Sequence, residues 1–117
     1  MFLGKYKYKI EKSDNGYYFA LYPNNIPNQE VGRSIVYNTY DKCKSEWEDF
    51  KILVKVNKIN DVNSKFVKIF KENNAWFYDY KKDNRRVFYR KNGYCQENSA
   101  KKIISSIFKN IDANLEE

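Results

Sequence analysis

The sequence predicts an α+β fold: two β-β-β-α units sharing one antiparallel sheet, with both helices packed on one face. Three observations predict it. In residues 6–11, Tyr6, Tyr8 and Ile10 alternate with Lys7, Lys9 and Glu11, the period-2 pattern of a half-buried strand. In residues 40–54, Tyr40, Cys43, Trp47, Phe50 and Val54 recur at helical spacing, which makes one apolar stripe facing a sheet. The pattern also occurs twice. Residues 8–22 (YKIEKSDNGYYFALY) overlie 67–81 (VKIFKENNAWFYDYK) at a constant offset of 59, the signature of an internal repeat.

Each element follows in order. The first strand ends at Asp14-Asn15-Gly16, a strong hairpin signal, and Tyr17–Tyr22 form an aromatic second strand. A third strand is expected from about Glu30 to Tyr37. Thr39 then caps a helix, with Asp41 favourably placed in its positive first turn. In the second unit Ile10 meets Ile69, Lys12 meets Lys71, Tyr17 meets Trp76 and Phe19 meets Tyr78. Beyond the second strand the offset becomes 57, so that Arg33 meets Arg90, Tyr37 meets Tyr94 and Cys43 meets Ala100. The difference falls between the turn at 23–28 and the shorter one at 81–84, and length changes belong in turns. Ala100, Ile103, Ile104, Ile107 and Ile111 give the second helix its stripe. The expected divisions are a first unit at 1–57, a polar linker at 58–65, a second unit at 66–111 and a tail at 112–117. Six strands in one compact domain result. A unit of this size is marginal alone, so two sharing a core is the expected solution.

Composition narrows the function. The chain has 117 residues, 22 Lys+Arg against 15 Asp+Glu, no histidine and two cysteines. Ser-His-Asp and Cys-His catalysis and His-containing zinc sites are thereby excluded, as are four-cysteine metal sites. No metal spacing, Gly-rich phosphate loop or nucleophile elbow is present. The expectation is therefore a non-enzymatic protein without a cofactor. The 11 Tyr, 8 Phe and 2 Trp supply enough ring area for a core, in which Trp47 and Trp76 are expected. No apolar run is long enough to span a membrane, and lysines stand where a signal peptide needs apolar residues. A cytoplasmic location with reduced thiols is expected. Cys43 reads as a buried core thiol. Cys95, ahead of the second helix, reads as a surface thiol, with activation by Lys91 and the helix N-terminus as the alternative.

The first unit resembles the YegP-like family of small bacterial proteins of unknown function. The resemblance rests on YKIEKSDNGYYFALY, EVGRS, and Tyr37 with Cys43 six residues on, ahead of an apolar helix. It implies a tandem β-β-β-α repeat and no established activity. Phe88-Tyr89-Arg90-Lys91 departs from that family, which carries a small residue and Ser there. The second unit, NAWFYDYKKDNRRVFYRKNGYCQENSAKKIISSI, is similar to the AP2-like arm-binding domains of phage and transposon integrases. The likeness lies in Trp76, the basic turn, the basic third strand and Gly93-Tyr94. It implies DNA reading by an exposed sheet face, and no more than binding, because no catalytic integrase domain follows.

Charge is concentrated in that second unit. Residues 65–109 hold 12 Lys/Arg and 4 Asp/Glu, and residues 81–91 hold six basic side chains against one acid. Alternation along the third strand predicts Arg86, Phe88 and Arg90 on one face, and Arg85, Val87, Tyr89 and Lys91 on the other. Guanidinium groups beside aromatics suit a nucleic acid, DNA or RNA, which they engage through phosphates and base edges. The expected binding residues are Arg85, Arg86, Arg90 and Lys91, with Lys81 and Lys82 on phosphate and Trp76 or Tyr89 stacking on bases; Phe77 stands beside Tyr89 as a stacking ring if the partner is single-stranded. The bland alternative is a basic edge strand that resists aggregation; it is also the ready reading of Lys5, Lys7 and Lys9. A different class fits too: a protein-interaction module, either a YegP-like homodimer or a small mobile-element-encoded inhibitor of a nucleic-acid-handling (defence) enzyme. Tyr and Arg are typical hot-spot residues.

Overall fold

The computed structural model describes residues 6–26 and 28–116. It is a mixed α+β fold whose elements run β1 (Tyr6–Ser13), β2 (Gly16–Pro23), β3 (Gly32–Ser34), α1 (Tyr40–Val56), β4 (Val67–Glu72), β5 (Ala75–Lys82), β6 (Arg85–Tyr89), α2 (Glu97–Lys109) and β7 (Leu115–Glu116). The strands form one sheet in the order β4-β5-β6-β3-β2-β1-β7. Every neighbouring pair is antiparallel except β1 and β7. Lys5 lies outside the described residues.

Three expectations need correcting. The sheet has seven strands rather than six, because the expected tail supplies β7. Leu115 pairs with Tyr8, Tyr8 N–H donates to the Asn114 carbonyl at 2.8 Å, and Glu116 meets Lys7 at 3.3 Å and Lys9 at 3.4 Å. A two-residue strand carries too little pattern to be read from sequence. The third strand is three residues long rather than spanning Glu30 to Tyr37. The chain leaves β2 after Ser34 and returns only at Tyr37, which exchanges both backbone hydrogen bonds with Tyr17 at 2.8 and 2.7 Å. Trp76 and Tyr94 exchange theirs in the same way, both at 2.8 Å. Finally, the polar linker buries Ile59 completely, its N–H donating to the Val54 carbonyl at 3.1 Å.

Turn chemistry fixes the hairpins. The β4–β5 turn is Asn73-Asn74, with φ of 51° and 65°, and the β5–β6 turn is Asp83-Asn84, with φ of 52° and 62°. Two consecutive positive φ values match the twist of a tight hairpin, and Asn and Asp tolerate them best among residues with a side chain. Between β1 and β2, Gly16 has φ of 148°, and a Cβ there would lie 2.0 Å from the Tyr37 carbonyl oxygen. Only glycine fits that approach.

One sheet face carries the core. Tyr8, Leu21 and Gly32 share one lateral row, and Val67, Tyr80, Phe88 and Ser34 another. Cys43, Trp47, Phe50 and Val54 of α1 and Ile104 and Ile107 of α2 enter the same cluster. Phe88 is its centre, stacked on Phe50 at 4.6 Å and on Phe19 at 5.8 Å. Burying one such ring contributes about 1.5–3 kcal/mol. Two buried phenols satisfy their hydroxyls on backbone: Tyr8 donates to Ile111 and Tyr78 to Val31, both at 2.9 Å. Thr39 caps α1 as expected, its hydroxyl accepting from Lys42 N–H at 3.1 Å. Tyr40, read as the start of the apolar stripe, is instead 37% exposed, with its ring edge-on to Tyr17.

Candidate nucleic-acid interface

The basic hairpin is shaped by one irregularity. Tyr80 pairs with Phe88, yet the next residue, Lys81, pairs with Arg86. Val87 therefore has no partner and forms a β-bulge, which re-aims the side chains on one side of it. The simple alternation expected for this strand fails here. Phe88 points into the core, while Arg86 and Tyr89 come to the same, opposite face, with the guanidinium 4.4 Å from the Tyr89 ring centre. Beyond the bulge Arg85 faces Lys82 across the ladder, so the hairpin ends in two like-charged pairs, Lys81 with Arg86 and Lys82 with Arg85.

The remaining predicted residues separate. Lys91 is exposed just past β6 and lines a shallow groove of about 170 Å³ with Arg86, Tyr89, Phe70, Phe77 and Asp79. Arg90 borders the same groove, but its guanidinium is engaged elsewhere. Its Nη1 donates to the Glu30 carbonyl at 2.7 Å and the Val31 carbonyl at 3.3 Å, its Nε donates to the Asn92 carbonyl, and the guanidinium lies 4.0 Å from the Tyr94 ring centre. Arg90 is thus a clasp between the two halves of the chain. Trp76 is not brought to Tyr89 either. It sits two residues before the core residue Tyr78 on the same strand, and so on the core side of the sheet, with Lys71 5.9 Å from its ring.

Phe70 and Arg33 of the open face were not singled out from the sequence, whereas Phe77 is an expected stacking ring. Phe70 and Phe77 are opposite one another in β4 and β5 and stack at 5.6 Å with an interplanar angle of 16°. Alternation past Ile69 could have found Phe70. Arg33 is directly opposite Tyr89, lies 4.5 Å from the Tyr18 ring, and forms a bidentate pair with Glu30, both bonds 2.7 Å. That paired hydrogen bond raises the Arg33 pKa further above its ordinary value. Asp79, 7% exposed, meets Arg86 at 3.3 Å. Burial pushes its carboxyl above the usual carboxylate range, against the pull of Arg86, Lys81 and Lys68.

Both thiols lie where the sequence placed them. Cys43 is fully buried and burial pushes its thiol up to about 11, whereas Cys95 is exposed. Among the described residues, no three His, Cys, Asp or Glu side chains gather to hold a metal ion. No helix among them is long and apolar enough to cross a membrane.

No protein-family model and no curated protein matches the chain. Solved structures do match. The solution structure of yegP, a protein of unknown function from E. coli, superposes with a TM-score of 0.76 at 14% identity, covering 99% of this chain and 95% of that one. A UPF0339 protein from Shewanella oneidensis superposes with a TM-score of 0.71 at 15% identity, covering 96% and 90% respectively. This chain has the YegP-like fold. The likeness spans both halves, as the resemblance of the first unit implied. The similarity of the second unit to AP2-like domains finds no support in these matches.

Proposed function

We propose that the chain is a YegP-like protein of two β-β-β-α units, both helices covering the face that carries Tyr8, Phe19 and Phe88. In this reading it is a cytoplasmic, non-enzymatic binding protein that engages DNA or RNA through the opposite face. The observation that carries the reading is the groove on that face, where Phe70, Phe77 and Tyr89 lie beside Arg86 and Lys91. Rings of this kind stack on unpaired bases at about 1–3 kcal/mol per base, and cations alongside follow the phosphates. Arg85, Lys81 and Lys82 extend the cationic track around the hairpin. Arg90 and Trp76 serve the fold rather than the contact.

Fluorescence polarisation with single-stranded DNA, duplex DNA and RNA across a salt series tests this. Engagement of three to five phosphates gives a log–log salt slope of about −2 to −4, and single strands bind tighter than duplex. R86E and Y89A are expected to weaken binding at least tenfold, and affinity unchanged in both variants defeats the reading.

A protein-interaction module is the second reading, either a homodimer or a small mobile-element-encoded inhibitor of a nucleic-acid-handling (defence) enzyme. It is favoured by Ile52 and Val56, one turn apart on α1 and 57% and 73% exposed. Absence of nucleic-acid binding, together with a dimer in light scattering or a protein complex that survives nuclease, selects it.

A further inference from the structure

Arg85 and Lys82 occupy an unusual position. They face one another across the last rung of the β5–β6 ladder, beyond the bulge, on the side away from Tyr89. Both are exposed, and neither forms an ion pair among the described residues. Like charges directly opposite in a sheet destabilise it. On the open face the matching pair, Lys81 with Arg86, has Asp79 beside it. The Lys82–Arg85 pair has no ion-paired acid among the described residues: of the two acids that line the gap beside it, Glu46 of α1 is held by Lys42 at 3.0 Å, and Asp83 is the turn residue between the two cations and forms no ion pair with them.

These two cations border a cleft of about 370 Å³ between the hairpin and the first turns of α1. Ile35, Val36 and Val87 give the cleft an apolar wall, with Val36 45% exposed, and Lys42, Glu46 and Asp83 also line it. A cleft of this size, with an apolar wall and a few convergent charges, has the dimensions of a small-ligand site. An anion placed between Arg85 and Lys82 removes the repulsion that the ladder otherwise carries, and guanidinium grips phosphate through two parallel bonds. The apolar wall then faces whatever the phosphate is attached to, and a flat, weakly polar ring is the group that suits it.

We propose that this cleft is a nucleotide site, with the phosphate held by Arg85 and Lys82 and the base laid against Val36 and Val87. Its ligand is either a free mononucleotide or one nucleotide of a bound strand. In the second case the site extends the open-face reading, and the hairpin is gripped on both sides.

Amide chemical shifts of the labelled protein separate the cases, using adenosine monophosphate, inorganic phosphate and a short single-stranded DNA as probes. A nucleotide site predicts saturable shifts at Val36, Tyr37, Arg85 and Val87, with adenosine monophosphate binding at least tenfold tighter than inorganic phosphate, or with the oligonucleotide alone moving these amides if the site takes only strand-borne nucleotides. R85Q is expected to weaken that binding at least tenfold. K82E converts the like-charged rung to an opposite pair; it is expected to abolish binding while raising the melting temperature of the free protein. Equal affinity for phosphate and adenosine monophosphate overturns the proposal, as does the absence of shifts at these amides with every probe. Cleft shifts without movement of the Arg86 and Tyr89 amides by the oligonucleotide overturn the open-face reading and leave the cleft standing.

Discussion

Replacing Arg90 with alanine separates a structural arginine from a binding one. The half-buried guanidinium donates to the carbonyls of Glu30, Val31 and Asn92 and lies over the Tyr94 ring. Hydrogen bonds from a charged donor are worth about 1.5–3 kcal/mol each. The Val31 carbonyl keeps its bond from Tyr78, and water reaches the loop around Asn92, so only the Glu30 bond counts in full. Adding about 0.5–1 kcal/mol for the ring contact gives an expected loss of about 2–4 kcal/mol. For a domain of this size that corresponds to a melting temperature lower by about 8–16 °C. Thermal and urea denaturation followed by circular dichroism measure both. Lysine at this position recovers less than half, because a point charge cannot bridge two carbonyls as a planar fork does. Lys91→Ala, at an exposed position just past β6 with no ion pair among the described residues, stays within about 0.5 kcal/mol of the parent. A loss below about 1 kcal/mol for Arg90→Ala refutes the clasp and returns this residue to the binding set.

Three further outcomes are expected. Gly32→Ala places a Cβ 2.2 Å from the Tyr78 hydroxyl and 2.5 Å from the Phe88 ring, so it displaces the bond to Val31; an overpacking loss of about 1–3 kcal/mol is expected in urea denaturation. Asp79 has a folded pKa raised by burial, so its contribution to stability is present below the unfolded value and lost as pH rises through the folded one. Asp79→Asn therefore gains stability relative to the parent between about pH 3.5 and pH 7, and a flat difference in denaturation free energy refutes this. Of the two thiols, Cys95 is exposed and Cys43 buried. A thiol reagent followed by mass spectrometry is expected to add one label in buffer and two in denaturant.

How much of this was legible in the sequence depended on the kind of signal. Thr39 rests on local chemistry, and its hydroxyl accepts from Lys42 N–H as expected; the buried residues of α1 follow the expected period from Cys43 to Val54, and those of α2 from Ala100 to Ile107, whereas Tyr40 does not. The Val87 bulge does not appear in a pattern of alternation, because one extra residue inverts every inference beyond it. Arg33 and Arg90 align in sequence but differ in partner. Arg33 meets the Glu30 carboxylate while Arg90 meets the Glu30 carbonyl, a distinction set by how the β2–β3 loop closes. Phe70 and Phe77 were readable as a pair only once their strands were known to be in register.

The short central strand has a consequence for how chains meet at high concentration. β3 is three residues long, against eight for each of β1 and β2, and it is the backbone link between the β1–β2 hairpin and the β4–β6 half. Separation at this seam leaves both hairpins intact while uncovering the edges of β3 and β6, and it parts Phe88 from Phe19 and Phe50. Two chains opened there present each other with the edges their own halves had covered. Exchange of halves then rebuilds the same ladder between molecules, and the bonds from Arg90 to Glu30 and Val31 are among the contacts that such an opening must break.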